Sequence, residues 1–326
     1  MEKDCLFISN RGIAQRCDFY PKVIKSDSKV FEWNNYVKQW KPNEIVTVYV
    51  ITSNLEQFIN TVLKEFENNK QRFVLVTGAC VIAVPNELKI KQSKLTKFIN
   101  NPLLIHWFCQ NKSNSSLNSN KLTAIPLGVD YHTLSSGKKI FWDSNKKAID
   151  QEKDILSISN KSPKWDDKKD VCFASYHFVN INKYNNDRNQ ATKVFKGKKY
   201  SIFLNKRTNR KTLLALTGLF KFGISPFGQG LDCHRTWETL IMGSVPIVRK
   251  SGICEIFEGL PVIIVNKWED FDFVKSKKYI YEFFSDSKNE NWRDRLTLDF
   301  WWGKIHAKCN QEQNPGLVQE VAKSTA

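Results

Sequence analysis

The sequence predicts an α/β protein. Apolar runs of strand length recur along the chain, stretches with helical spacing of apolar residues separate them, and Lys221 to Val248 shows the whole unit at once. That segment reads KFGISPFGQGLDCHRTWETLIMGSVPIV. A short apolar run (Phe222, Ile224) enters a loop with Ser225, Pro226, Gly228 and Gly230. A helix pattern, HRTWETLIMG, follows and is closed by Gly243 at a C′ position. A buried-type strand, Val245 to Val248, comes next. Strand–loop–helix–strand is the unit from which open parallel sheets are built.

In the first lobe, residues 1–135, CLFIS (5–9) reads as a first buried strand and NRGIAQRCD as the loop after it, with Gly12 at the turn. Arg11 and Arg16 there read either as acceptor-site groups or as surface charge, with surface charge favoured. VTVYVIT (46–52) is a second strand, and Ser53 is placed to cap the helix LEQFINTVLKEF. RFVLVTG is a third, ending in Gly78-Ala79-Cys80; a helix is expected over 87–100. LLIHWF (103–108) and KLTAIPLGV (121–129) are further strands, with the polar loop NKSNSSLNSN (111–120) between them.

Residues 136–168 carry many Lys, Ser and Asp with weak periodicity and read as a connection with local helix. The second lobe, 169–285, opens with the strand DVCFAS (170–175). A loop enters a helix over NINKYNNDRNQATKVF (180–195); YSIFL (200–204) is a strand and KTLLALTGLF (211–220) a helix. Beyond the central unit come a short helix at CEIFEG, the strand PVIIV (261–265) and a helix opened by NKWEDF. The region 286–310 holds an aromatic-rich helix, NWRDRLTLDFWWGKIHAKC, and the tail 311–326 reads as poorly ordered.

Composition narrows the partners. A 41% hydrophobic share with ten Trp and 22 Phe excludes a chain disordered throughout. Fifty basic against 33 acidic residues give +17, which suits an anionic partner: nucleotide phosphates, nucleic acid, an acidic glycan or a membrane surface. Lysines spread along the chain also serve simply to solvate it. The eight cysteines include no C-x-x-C and no zinc spacing, and several sit in apolar runs, as buried thiols do. MEKDCLFIS has no signal-peptide pattern, and no apolar run is long enough to span a bilayer. A cytoplasmic chain, monomer or weak dimer, with the Asn114 sequon unused, is the expectation.

The central stretch has the makings of an anion site. Its glycines let backbone approach a ligand, and a helix N-terminus offers free N–H groups. His234 and Arg235 add cationic donors on the first turn, and Glu238 shares their face. A nucleotide fits this pattern: phosphates at the helix end, ribose hydroxyls on Glu238. Asp232 is placed as N-cap or ligand contact, and Trp237 and Leu240 as core.

SPFGQGLDCHRTWETLIMGSVPIV, followed by LPVIIV and KWEDF, resembles the C-terminal signature of exostosin-like glycosyltransferases, most closely those of large DNA viruses and bacteria. The match runs roughly from Val171 to Phe273. It implies a GT-B fold: two Rossmann-like lobes whose parallel sheets face an interlobe cleft, the last helix packing back on the first lobe. It also implies a UDP-sugar donor carrying xylose or another neutral sugar, a glycan acceptor, and inversion with no cofactor and no essential metal.

Without a metal, the leaving diphosphate needs helix-end N–H groups and arginines. Arg235, the Ser225–Gly230 loop and Arg188 are the candidates; Arg188 lies where the resembling proteins carry a basic donor clamp. Lys206, Arg207 and Arg210 form a second basic cluster, either lining the cleft or exposed. The acceptor needs a base at a strand end of the first lobe. The resembling transferases place an Asp after the glycine of RFVLVTG, where this chain has Ala79; that departure puts activity in doubt. Asp130 and His132 of PLGVDYHTL, which echoes a segment of the resembling proteins, are the remaining candidates and read as donor or acceptor contacts; a Pro/Gly turn with Asp130 as cap is the alternative. Asp270-Phe271-Asp272 has the D-x-D spacing of metal-dependent transferases, but capping of the following helix explains it better, and no metal ligands are assigned. His106 and His306 are placed as structural, and His177 is left open. Two other classes compete: a basic nucleic-acid-binding protein, and a catalytically inactive glycan-binding module.

Overall fold

The computed structural model describes residues 1–114, 119–136, 146–176 and 183–311. His177 and the tail beyond Gln311 lie outside the described residues.

The first lobe departs from expectation at its start. CLFIS is an extended entry segment with single bridges, Phe7 to Thr297 and Ser9 to Gly128, not a strand of the sheet. Its backbone is satisfied by loops: Ile8 N donates to Leu296 O at 2.9 Å, and Ile8 O accepts from Val129 N at 2.8 Å. The expected loop after it is helix α1 (Asn10–Arg16), which Ser9 caps by accepting from Gly12 N at 3.0 Å. Two short strands, β1 (Phe19–Pro21) and β2 (Tyr36–Lys38), are additions that the sequence reading did not contain.

Strand β3 (Val46–Ile51) follows, buried along its whole length. Next come α2 (Leu55–Gln57), a π turn (Phe58–Val62) and α3 (Leu63–Asn68). Ser53 does not cap this helix; its hydroxyl donates to Ser28 O at 2.5 Å. Then come β4 (Phe73–Gly78), α4 (Gln92–Ile99), β5 (Leu104–Cys109), β6 (Leu122–Ala124) and α5 (His132–Ser135). The sheet order is β2-β1-β3-β4-β5-β6, antiparallel only at β1–β2. Period-2 alternation divides β3: Val46, Val48 and Val50 pack with Phe58 and Phe66, while Tyr49 and Ile51 face the opposite core.

The connection holds α6 (Ala148–Lys161). The second lobe runs β7 (Lys169–Ala174), α7 (Asp187–Phe195), β8 (Ser201–Phe203), α8 (Arg210–Gly218), β9 (Phe220–Ile224), α9 (His234–Ile241), β10 (Val245–Arg249), β11 (Ile263–Val265) and α10 (Phe273–Ser285). Its sheet, β11-β10-β9-β7-β8, is parallel throughout. Gly243 takes φ +70° just past α9, as its C′ role requires. Asp272 caps α10 through Val274 N and Lys275 N, and Asp270 accepts from Lys267 N, so the D-x-D carboxylates serve local turns.

The last helix, α11 (Leu298–Gln311), packs against α1, β3, β4 and β5. One apolar core joins the lobes: Tyr49, Val74 and Val76 of the first sheet, Trp301 and Ile305 of α11, and Trp237, Leu240 and Ile241 of α9. Each such side chain contributes about 1.5–3 kcal/mol when fully buried, so the interface between lobes is itself core.

His106 on β5 is buried, its Nε2 2.8 Å from Thr123 Oγ1. Burial, reinforced by Lys308, Lys112 and Lys121, pushes its pKa down to about 4. The unfolded chain therefore binds the proton more readily, and this stability, complete above about 6.5, is lost as pH falls toward 4. Between pH 7 and 4.5 the wild type should lose about 2–3 kcal/mol more than His106→Gln in chemical denaturation. Equal losses would remove His106 from the explanation.

Candidate active site

The C-terminal ends of the two sheets meet at a cleft of about 390 Å³. From the first lobe it is lined by Glu2, Asn10, Arg11, Ser26, Asp27, Ala79, Cys80, Val81, Gln110, Asn111, Leu127, Val129 and His132. From the second come Arg188, Gly228, Gln229, Gly230, Asp232, Cys233, His234 and Arg235. Strand ends of parallel sheets are where crossovers leave loops free to hold a ligand.

The second-lobe wall is one pinned loop. Asp187, buried at the start of α7, accepts from Phe227 N at 2.9 Å, Trp268 Nε1 at 2.8 Å and Arg249 Nη1 at 2.7 Å. The next residue, Arg188, lays its guanidinium along this loop, with Nε donating to Phe227 O at 3.3 Å. Arg235 lies on the same loop, Nη1 3.5 Å from Pro226 O, with its guanidinium over the Tyr176 ring. Burial, then the charge of Arg235, lowers the pKa of Arg188. Two like charges are thus held together at a strand end, an arrangement that an anion between them relieves. Ser225 and Pro226 are buried and do not line the cleft; the Ser225 hydroxyl is 2.8 Å from that of Thr236.

Asp232 is the seam between the lobes. Its carboxylate accepts from Leu127 N at 2.7 Å, Cys233 N at 2.7 Å and Trp237 Nε1 at 2.9 Å, and its own N–H donates to Asn111 Oδ1 at 3.0 Å. Burial raises its pKa to about 6 despite these donors. Beside it His234 Nδ1 donates to Gly128 O at 2.7 Å. Gly128 sits at φ +73°, where a Cβ would lie 2.1 Å from Ile8 O, so only glycine passes the chain here. Gly230 admits no Cβ against Asn111, the nearest atom being 2.7 Å away.

His132 faces His234, ring centroids 5.7 Å apart, and its Nδ1 is 3.1 Å from Asp130 Oδ1. Burial pushes the His132 pKa down to about 4, with Asp130 opposing. For Asp130, burial raises the pKa but His234, His132 and Arg210 outweigh it, holding the carboxylate ionised.

Glu238 is elsewhere. Its carboxylate pairs with Arg210 at 2.6 Å, both side chains largely buried, and it is not among the residues that line the cleft. Arg210 also donates to Gln151 Oε1 at 2.6 Å, so of the second basic cluster it ties α8 to α9 and α6, while Lys206 and Arg207 are exposed.

Ala79 directly follows β4, takes φ +50° and lines the cleft. Its N–H donates to Asn10 Oδ1 at 2.9 Å and Gln110 Oε1 at 3.1 Å. Asn10 is buried, lines the cleft, and leaves Nδ2 with no hydrogen-bond partner among the described residues. An orphaned buried donor costs about 1–3 kcal/mol, which a ligand oxygen recovers. The sequence reading missed Asn10 and Asp187; of the two alternatives it left for Arg11, surface charge was favoured, whereas Arg11 is half-buried in the cleft.

No family model matches the chain, and no curated protein does. Among solved structures it is similar to the catalytic domain of starch synthase IV from Arabidopsis thaliana bound to ADP and acarbose, at 12% identity over 84% of this chain and 73% of that one, TM-score 0.37. It is similar to an α1,3-fucosyltransferase at 13% identity over 89% and 93%, TM-score 0.34. A UDP-forming α,α-trehalose-phosphate synthase from Burkholderia vietnamiensis gives 11% identity over 82% and 73%, TM-score 0.38. At such identity and score the likeness carries nothing about substrate. The fold class rests on the molecule's own topology: two Rossmann-like α/β lobes, their sheets parallel except at β1–β2, facing one cleft.

Proposed function

We propose that the protein is a glycosyltransferase that takes a UDP-sugar and transfers its sugar, with inversion, to a hydroxyl of a glycan. The observation that carries this reading is the pair of guanidiniums, Arg188 and Arg235, held on the Pro226–Gly228 loop at the cleft. They are suited to the diphosphate, and they stabilise the charge that develops on it as the bond to the anomeric carbon breaks. The opposite wall, with Asn10, Arg11, Ser26, Gln110 and Asn111, offers the mixed donors and acceptors that a sugar's hydroxyls require. The acceptor oxygen attacks the anomeric carbon from the face away from the diphosphate. Its proton leaves toward His132 and His234, whose imidazoles line the cleft with Asp130 beside His132; Glu2 and Asp27 are carboxyl groups on the same cleft.

The test is a panel of nucleotide sugars in thermal denaturation, followed by a product assay with oligosaccharides. A UDP-sugar should raise Tm by several degrees and be consumed only when an acceptor is present. If every nucleotide sugar leaves Tm unchanged, the reading fails. Ala79 favours a second reading, a glycan-binding module without turnover. If glycan binds and transfer appears only in Ala79→Asp, that second reading is the correct one for this chain.

A further inference from the structure

Asp130 and His132 belong to the first lobe and His234 to the second, and one ligand atom of each lies within 4.8 Å of the other two. The three side chains are part-buried, and both imidazoles line the cleft. Asp130 Oδ1 and His132 Nδ1 are 3.1 Å apart. Without an ion this is a hydrogen-bond distance, and Asp130 Oδ1 also accepts from Thr133 N at 2.9 Å; it matches the roughly 3.0–3.4 Å between two adjacent ligands whose bonds of about 2.1 Å meet at 90–110°, so an ion would take the place of the proton between them. His234 is aimed by its second nitrogen: Nδ1 donates to Gly128 O at 2.7 Å, leaving the Nε2 lone pair for a ligand. A backbone carbonyl that fixes the imidazole opposite its coordinating nitrogen is the recurring outer-shell arrangement of metal-bound histidines.

We infer that Asp130, His132 and His234 form a binding site for a divalent transition metal, with zinc the ion it suits best. Two imidazoles with one carboxylate suit zinc and its neighbours, whereas magnesium and calcium require oxygen ligands. Three protein ligands beside a cleft leave a position for a water or substrate oxygen, the pattern of a catalytic site. The site departs from the metal-free chemistry that the exostosin-like resemblance implies. Its use, unlike its existence, rests on the transferase reading. There a bound ion would polarise the acceptor hydroxyl, replacing direct proton transfer to these three side chains, whose lone pairs the ion would occupy; the proton would pass to water as the acceptor oxygen bonds to the anomeric carbon and the bond to the diphosphate breaks.

The experiment titrates zinc into the full chain after treatment with chelator and dialysis, by calorimetry. One equivalent should bind with micromolar or tighter affinity. His132→Ala and His234→Ala should each weaken binding at least about 100-fold, beyond the ~10–100-fold typical of lost outer-shell partners. His132→Gln and Asp130→Asn, which keep side-chain size, guard against a folding defect and should also weaken it, with circular dichroism unchanged. Cys80→Ser and Cys233→Ser, at the cleft thiols, and His306→Ala, at an exposed imidazole, should bind as wild type. The inference is overturned if no saturable equivalent binds, or if binding survives both histidine variants. Titration of a UDP-sugar into the same metal-free protein keeps the two ideas separate, since donor binding needs Arg188 and Arg235 and not the ion.

Discussion

Arg235→Ala is expected to weaken UDP binding by about 30- to 150-fold in calorimetry, the ~2–3 kcal/mol of a charge-assisted hydrogen bond in a sheltered site. Arg188→Ala should fall in the same range. The double variant should lose less than the sum, since the two guanidiniums are proposed to serve one diphosphate and their mutual repulsion is relieved by removing either. Added salt should lower wild-type affinity and flatten the difference between wild type and variants. Glu238→Ala separates this geometry from the simpler expectation of a ribose carboxylate on α9. Because Glu238 is paired with Arg210 and does not line the cleft, its loss should lower Tm and leave UDP affinity within about twofold of wild type.

Asp232→Ala should be the most destabilising single substitution at the cleft. The carboxylate receives donors from Leu127 on one lobe and from Cys233 and Trp237 on the other. Alanine leaves all three buried donors without their acceptor, for an expected loss of about 3–5 kcal/mol. In a chain of 326 residues that is a fall in Tm of roughly 4–7 °C. Asp232→Asn keeps an acceptor oxygen and should lose about half as much. A change below about 1 kcal/mol in Asp232→Ala would show that this carboxylate does not hold the lobes together.

What was legible in the sequence follows from physical scale. VTVYVI and FVLVTG are six-residue runs buried along their whole length, and a central parallel strand has no polar face to confuse the reading. Helix α9 announced itself through the spacing of Trp237, Leu240 and Ile241 and through Gly243. The strands β1 and β2, three residues each, are too short for any period to emerge. Helix α1 was misread because Gly12 suggests a turn, whereas it lies in the helix so that Leu298 of α11 can approach, 3.0 Å from where a Cβ would be. The Ser9 cap three residues before Gly12 was the available signal.

The candidate site divides in the same way. The Gly228–Gly230 loop and Arg235 carry their signal locally, Arg188 is singled out by the resemblance, and all reach the cleft. Glu238 shares a helix face with Arg235 in projection, but α8 brings Arg210 to it from outside the cleft, and spacing within one helix cannot reveal a partner on another. The closeness of Asp130 and His132 to His234 spans more than a hundred residues and depends on how the lobes pack, with the His234–Gly128 and Asp232–Leu127 hydrogen bonds beside it.

The most direct measurement is a crystal structure of the protein with UDP. Phosphate oxygens within hydrogen-bond reach of both Arg188 and Arg235, beside the Gly228–Gly230 backbone, are the result this geometry predicts. UDP bound outside that cleft, or with its phosphates turned away from both guanidiniums, would contradict it.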